Sequence, residues 1–304
     1  MEFPRAHDGL KPLRKSVAET LAGRNRMSLD YWYLLPMGLS IAVLAMSSGV
    51  SAGNFWVPVY LLWAKFDPPL AFWMTLATML CGYGSGVVRN LRQGTLSRRV
   101  IGHYLPFTVP AALVGGYLSP TIDVSWLILL FGVFVFGCGV RMLRYLVWRP
   151  RSPSSLTGPR GEGEKAISEP FPGERGVALV GGILLGLIAV GLGELMLPRL
   201  LANRKPYSTA EAVGSTVLVI FVTSLAAALV RLHGAFLAAL GEQRTTLLGA
   251  MLFAGPAVVV GGQLGPMVAR RLNARMLRLY VAMILVLVGV LLLGRFVVTA
   301  GLFR

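Results

Sequence analysis

PAALVGGYLSP at residues 110–120 and PAVVVGGQLGP at residues 256–266 are near copies, identical at seven of eleven positions. Proline and glycine interrupt an apolar run at the same places in both. In an apolar, glycine-rich chain so short a match decides little alone, and its surroundings matter. At a spacing of 140 positions Gly53 corresponds to Gly193, Pro58 to Pro198, Leu61 to Leu201, Lys65 to Lys205 and Gly94 to Gly234. The quoted phrases align at 146, and a polar stretch at 241–244 accommodates the six extra residues. Preserved order across most of both halves is the mark of an internal duplication.

The 304 residues are 55% hydrophobic and only 14% charged, with a mean hydropathy of +0.67. A soluble chain carries about a quarter charged residues. Uncharged stretches run over 31–64, 68–88, 104–122, 124–140, 176–193, 212–230, 245–269 and 279–294. A helix of roughly 20 apolar residues crosses a bilayer core of about 30 Å. Backbone in lipid must satisfy its own hydrogen bonds, so helices or closed barrels are required, and these runs lack the period-two alternation of barrel strands. The expectation is an all-α polytopic membrane protein with two homologous halves of about four spans each. Arg141 and Arg278 complete the two shortest spans by snorkelling.

The division expected is a basic tail at 1–28, a first transmembrane repeat at 29–148, a polar linker at 149–175, a second repeat at 176–298 and a short tail at 299–304. The linker is rich in Pro, Ser, Gly and charge and has nothing with which to bury a core. Arg5, Lys11, Arg14, Lys15, Arg24 and Arg26 make the first tail basic, and Leu13, Val17 and Leu21 give it one apolar face suited to a membrane surface. Its length is wrong for an ordinary signal peptide. The net charge of +16 invites a nucleic-acid reading, but the bases gather in the tail and between spans, where Lys and Arg orient a membrane protein. The lipid bilayer is therefore the expected partner and nucleic acid is not; assembly as a homo-oligomer is left open. Cys81 and Cys138 fall inside spans without metal-ligand spacing and read as packing residues, so no metal or cofactor is expected.

Topology turns on parity. Four unbroken spans per half make the halves parallel but put Arg270, Arg271, Arg275 and Arg278 outside, against the positive-inside bias. If 31–64 and 176–205 each break at their glycines, near 49–53 and 191–193, the halves become inverted. Both Arg-rich loops and the linker then face the cytoplasm, with the basic tail outside. Charge alone leaves both arrangements open; inverted repeats with broken or re-entrant helices recur in secondary transporters.

The breaks are the first place for chemistry. Ser51, Gly53 and Asn54 lie before Pro58, and Gly191 and Gly193 lie before Pro198. A helix restarted after a break offers N–H groups and a positive dipole end to an anion; close helix packing by small residues is the competing role. Glu194 corresponds to Asn54 and lies deep in an apolar run, where a carboxylate costs about 2.5–3.5 kcal/mol. It must be protonated, paired or facing water, which makes it a candidate proton-coupling group. Thr75, Thr78, Ser215 and Thr216 supply hydroxyls for an oxyanion, or for their own helix backbone. Arg89 and Arg231 end their spans and either guide an anion or mark the membrane boundary. Catalytic motifs are weak. Ser85 in the run 82–86 only superficially suggests a serine turn, and His103 and His233 have no evident acid partner, so no catalytic residue is expected.

At these residues the chain resembles the TauE/SafE sulfite-exporter family of membrane permeases. The likeness covers nearly all of 29–295 and rests on several features. These are the duplicated build, the breaks before Pro58 and Pro198, the phrase Ala212-Val213-Gly214-Ser215-Thr216, the turns at Gly94 and Gly234, and the two quoted phrases. It implies movement of sulfite, sulfonates or related small anions across the bacterial inner membrane. Asn54 and Glu194 stand where family members often carry denser glycine. A drug/metabolite-type carrier and a non-transporting membrane scaffold or enzyme are the alternatives.

Overall fold

A computed structural model describes residues 29–48, 50–148, 173–202, 208–232, 234–271 and 274–299. The tail at 1–28, most of the linker at 149–175, Gly49, Lys205 and His233 lie outside the described residues, as does all of 299–304 but Thr299. The helices are α1 (Leu34–Ser48), α2 (Gly53–Pro58), α3 (Pro68–Arg92), α4 (Arg98–Leu118), α5 (Val124–Trp148) and α6 (Glu174–Ile188). They continue with α7 (Leu192–Ala202), α8 (Thr209–Val230), α9 (Gly234–Glu242), α10 (Arg244–Arg271) and α11 (Ala274–Thr299). No strand occurs among the described residues. The protein is an all-α polytopic membrane protein.

Local chemistry sets the boundaries. Pro68 and Pro69 open α3 at the positions where a missing N–H costs nothing. Ser208 and Glu211 close a capping box at the start of α8. Pro58 ends α2 without donating, and the chain continues as a π-helical turn, Val59–Trp63, in which the Ala64 N–H reaches back to Val59. Helix α6 starts at Glu174, inside the stretch expected to be linker.

Five of the described helices, α3, α5, α8, α10 and α11, are long and apolar enough to cross a membrane. Helix α4 has 21 residues but opens on Arg98, Arg99 and His103. The first stretch of each half takes the broken form, interrupted between Ser48 and Gly53 and between Ile188 and Leu192. Helices α1 and α6 have 15 residues each, about 22 Å at 1.5 Å per residue, short of a crossing. Each is followed by a break and a helix folded back on it. Gly38 packs against Trp56, and the Tyr31 and Phe66 rings meet at 5.8 Å. In the second hairpin Gly181 packs against Leu192, and Arg199 donates to the Gly173 carbonyl at 3.1 Å.

The quoted phrases now have a structural role. Gly115 in α4 lies against the α6 backbone at Ile183 and Gly186, and Gly116 against Ala227 and Val230 of α8. Gly261 in α10 lies against Leu39 and Ala42 of α1, and Gly262 against Gly82 and Ser85 of α3. Each phrase docks the re-entrant helix of the other half. Small residues at such contacts let backbones approach closely, which is how helices associate in lipid.

Contact pairs also give direction. Helix α1 runs parallel to α10, with Gly38 beside Ala257 and Met46 beside Gly265. Helices α3 and α10 are parallel: Gly82 meets Val258 and Arg89 donates to the Gln263 carbonyl. Helices α3 and α8 are antiparallel, since Trp73 donates to Ala228 while Gly86 meets Val217. Helices α5 and α11 are antiparallel too: Trp126 meets Phe296, and Gly139 meets Val286. The loop after α3, the start of α6 and the α10–α11 junction therefore share one face. The start of α1, residues 119–123 and the α8–α9 junction share the other.

Candidate functional site

The two hairpins approach from opposite faces and their tips touch. Gly53 sits beside Met79, near the middle of α3, and Gly193 beside Ile220, near the middle of α8. A Cβ at Gly53 would collide with the Ala189 carbonyl oxygen and come within 2.9 Å of Val190 Cγ1, so this tip closes only around glycine. Gly191 has φ +112°, a conformation L side chains rarely adopt. Ala189, with φ 60°, caps α6 in the left-handed conformation that ends many helices.

Glu194 joins the tips. Its Oε1 accepts the Ser51 backbone N–H at 2.6 Å and the Asn54 Nδ2–H at 2.6 Å. Asn54 is fully buried and Glu194 only 9% exposed. Glu194 Oε2 and Asn54 Oδ1 have no hydrogen-bond partner. A hydrogen bond to an ionised group contributes about 1.5–3 kcal/mol, so two such bonds offset the cost of placing a carboxylate at membrane depth, about 2.5–3.5 kcal/mol. The correspondence of Asn54 with Glu194 at a spacing of 140 thus becomes a direct contact across the two halves. The amides freed by the first break are in part taken already, by a carboxyl of the chain itself.

A cavity of about 40 Å³ lies beside this contact, lined by Ser51, Gly193, Thr216 and Tyr83 among polar and small residues, with Met46, Leu197 and Val217 as apolar wall. A water needs roughly 10–15 Å³ on this measure, so the space suits a solute of a few heavy atoms. Of the expected site residues, the structure gathers Ser51, Gly53, Asn54, Gly191, Gly193 and Glu194 at the tips and brings Thr216 to the cavity wall. The Thr216 hydroxyl also bonds the Ala212 carbonyl at 2.7 Å.

Thr75 and Ser215 stand apart from that wall. Thr75 is buried and donates to the Ala71 carbonyl at 2.8 Å. Ser215 Oγ accepts the Ser97 N–H at 2.9 Å, holding the start of α4. Thr78 pairs with the Tyr60 hydroxyl at 2.6 Å. Arg231, 2% exposed, donates to the Gly186 and Leu187 carbonyls. A cation at a helix C-terminus is favoured there by the dipole. Ser85 donates to the Gly82 carbonyl within α3, and His103 Nε2 lies 3.3 Å from Glu174 Oε2.

Sequence reasoning missed Tyr83, Arg141 and the His103–Glu174 pair. Tyr83 accepts the Ala52 N–H on its hydroxyl at 3.3 Å; its only signal was a polar-tipped ring inside a glycine run. Arg141, read as a snorkelling side chain, reaches the Glu194 carbonyl at 3.4 Å. Glu174 was assigned to the linker, which hid it as a partner for His103.

A family model described as Sulfite exporter TauE/SafE matches residues 34–292, most of the chain and both hairpins. No curated protein and no solved structure gives a match.

Proposed function

Because this chain belongs to the TauE/SafE sulfite exporter family, we propose that it is a secondary transporter of sulfite, organosulfonates or related small sulfur oxyanions in the cell inner membrane. Family membership makes it a membrane transporter of the sulfite-exporter type; the substrate, the coupling and the membrane are our reading. The anion binds where the hairpin tips meet, in the cavity walled by Ser51, Gly193, Thr216 and Tyr83, and Glu194 carries a coupling proton. The halves are inverted repeats, and rocking of one against the other alternates access. The antiparallel run of α3 against α8 and of α5 against α11 supports the inversion. The positive-inside bias then places Arg89, Arg92, Arg98 and Arg99 at the cytoplasmic face.

The observation that carries the reading is the meeting of the tips: buried donors from one break and a buried carboxylate from the other, beside a cavity of anion size. The test is flux in liposomes at two pH values with sulfite, alkanesulfonates, sulfate and carboxylates. Sulfite or a sulfonate should move fastest, and Thr216→Val should lower that flux at unchanged membrane expression. Absence of flux for every anion, or an unaffected variant, would refute the site.

A further inference from the structure

We propose that Glu194 is a resident substitute for the substrate, held by donors that the transported anion takes over when the carboxylate is protonated. This rests on the preceding reading and adds its coupling rule: one proton moves with each anion.

The geometry makes the two occupants exclusive. Both donors, the Ser51 N–H and the Asn54 Nδ2–H, converge on a single oxygen, Glu194 Oε1. Ser51 also lines the cavity, so an anion there stands next to the same donors. Bonds to an ionised acceptor are roughly twice as strong as bonds to a neutral one. While Glu194 is charged it keeps the donors; once neutral it holds them weakly and an anionic oxygen displaces it. Glu194 Oε2 makes no hydrogen bond of normal geometry, although the Gly191 and Glu194 backbone N–H groups also face the carboxyl, so Oε2 is the oxygen open to a proton.

The step balances. Glu194 carboxylate, a proton and a monoanion become the neutral acid beside a bound anion. Release on the far side returns the anion, the proton and the carboxylate. A monoanion therefore crosses with no net charge. The groups facing Glu194 from packed elements are Arg141 of α5, which touches its carbonyl, Cys138 of the same helix and Tyr83 of α3. None of them donates to the Glu194 carboxyl. Arg141 spends its contact on the Glu194 backbone carbonyl, so the proton that moves is assigned to the carboxyl.

The experiment uses the full chain in liposomes with methanesulfonate, whose charge is constant over the working pH range, and sulfite. In the wild type an inward proton gradient should drive uptake of one proton per anion, and an imposed membrane potential should not drive methanesulfonate. On the alkaline side the apparent KM should rise tenfold per pH unit, the slope for one linked proton. Glu194→Gln keeps shape and an acceptor oxygen but not the titration. It should retain anion counterflow with a KM flat in pH and no proton movement, and the wild-type to variant ratio cancels any titration of sulfite itself. Anion flux that persists in the wild type without proton movement, or a pH-dependent KM surviving in Glu194→Gln, would overturn this coupling while leaving the anion site standing. No flux of either anion by the wild type would instead defeat the underlying reading, and this one with it. Should Glu194→Gln not fold, Asn54→Ala serves. With one donor removed, Glu194 titrates more easily, so the wild-type pH profile of KM should move to higher pH; an unmoved profile counts against the competition.

Discussion

Replacing Gly53 by alanine should do far more harm than replacing its counterpart Gly193. The added methyl at 53 meets the Ala189 carbonyl oxygen below van der Waals distance, with Val190 Cγ1 at 2.9 Å and Met79 Sδ at 3.1 Å. A backbone carbonyl at the cap of α6 yields only if the whole second hairpin retreats. Overpacking of this kind costs about 1–3 kcal/mol, against roughly 0.4–1 kcal/mol gained from stiffening the unfolded chain. The net loss is about 1–2 kcal/mol, roughly a 5- to 30-fold drop in the population with its tips in contact. At Gly193 the nearest obstacles are Ile220 Cδ1 at 3.2 Å and Ser51 Cβ at 4.0 Å. A δ-methyl turns aside, so the cost should stay within about 0.5 kcal/mol. Thermal unfolding of the purified variants, followed by size-exclusion, reads the contrast: about 2–4 °C per kcal/mol for Gly53→Ala and almost none for Gly193→Ala. Equal losses, or a larger loss at Gly193, would refute the asymmetric tip contact.

Other predictions concern topology and structural hydroxyls. Gln93, Thr121 and Glu242 are exposed. With single cysteines there, an impermeant label added outside should reach Thr121→Cys and Glu242→Cys but not Gln93→Cys, whereas parallel halves would place 93 and 242 on the same side. Ser215→Ala should lower the unfolding temperature through the lost Ser97 bond, by about 0.5–1.5 kcal/mol, and leave the KM for sulfite alone; a raised KM would return Ser215 to the anion site. Tyr60→Phe removes the bond to Thr78 for a similar cost, again read as unfolding temperature without a change in substrate selectivity.

The lipid-embedded, all-helical build was legible because it rests on long uncharged runs. The positions of both breaks were legible from repeated glycine and proline. Crossing number was not: a run such as 31–64 is apolar whether it spans once or folds back at its glycines. The pairing of Asn54 with Glu194 was visible as a positional correspondence, but that the two touch depends on the hairpins entering from opposite faces. Individual hydroxyls were least legible. Thr75 and Ser215 look like Thr216 in sequence, yet only helix rotation decides which faces a cavity and which a backbone group. Tyr83 gave only a weak sign, because a polar-tipped ring in a glycine run inside a span is more often packing.

The most direct test of the meeting tips is a disulfide between them. The Ser51 Cβ lies 4.0 Å from where a Cβ at 193 would stand, within the 3.5–4.5 Å that a disulfide spans. With Cys81 and Cys138 replaced, Ser51→Cys/Gly193→Cys should oxidise readily, stop sulfite flux in liposomes and recover it on reduction. Thiols that stay free under oxidant, or cross-linked protein that transports at the full rate, would contradict an anion site between the two breaks.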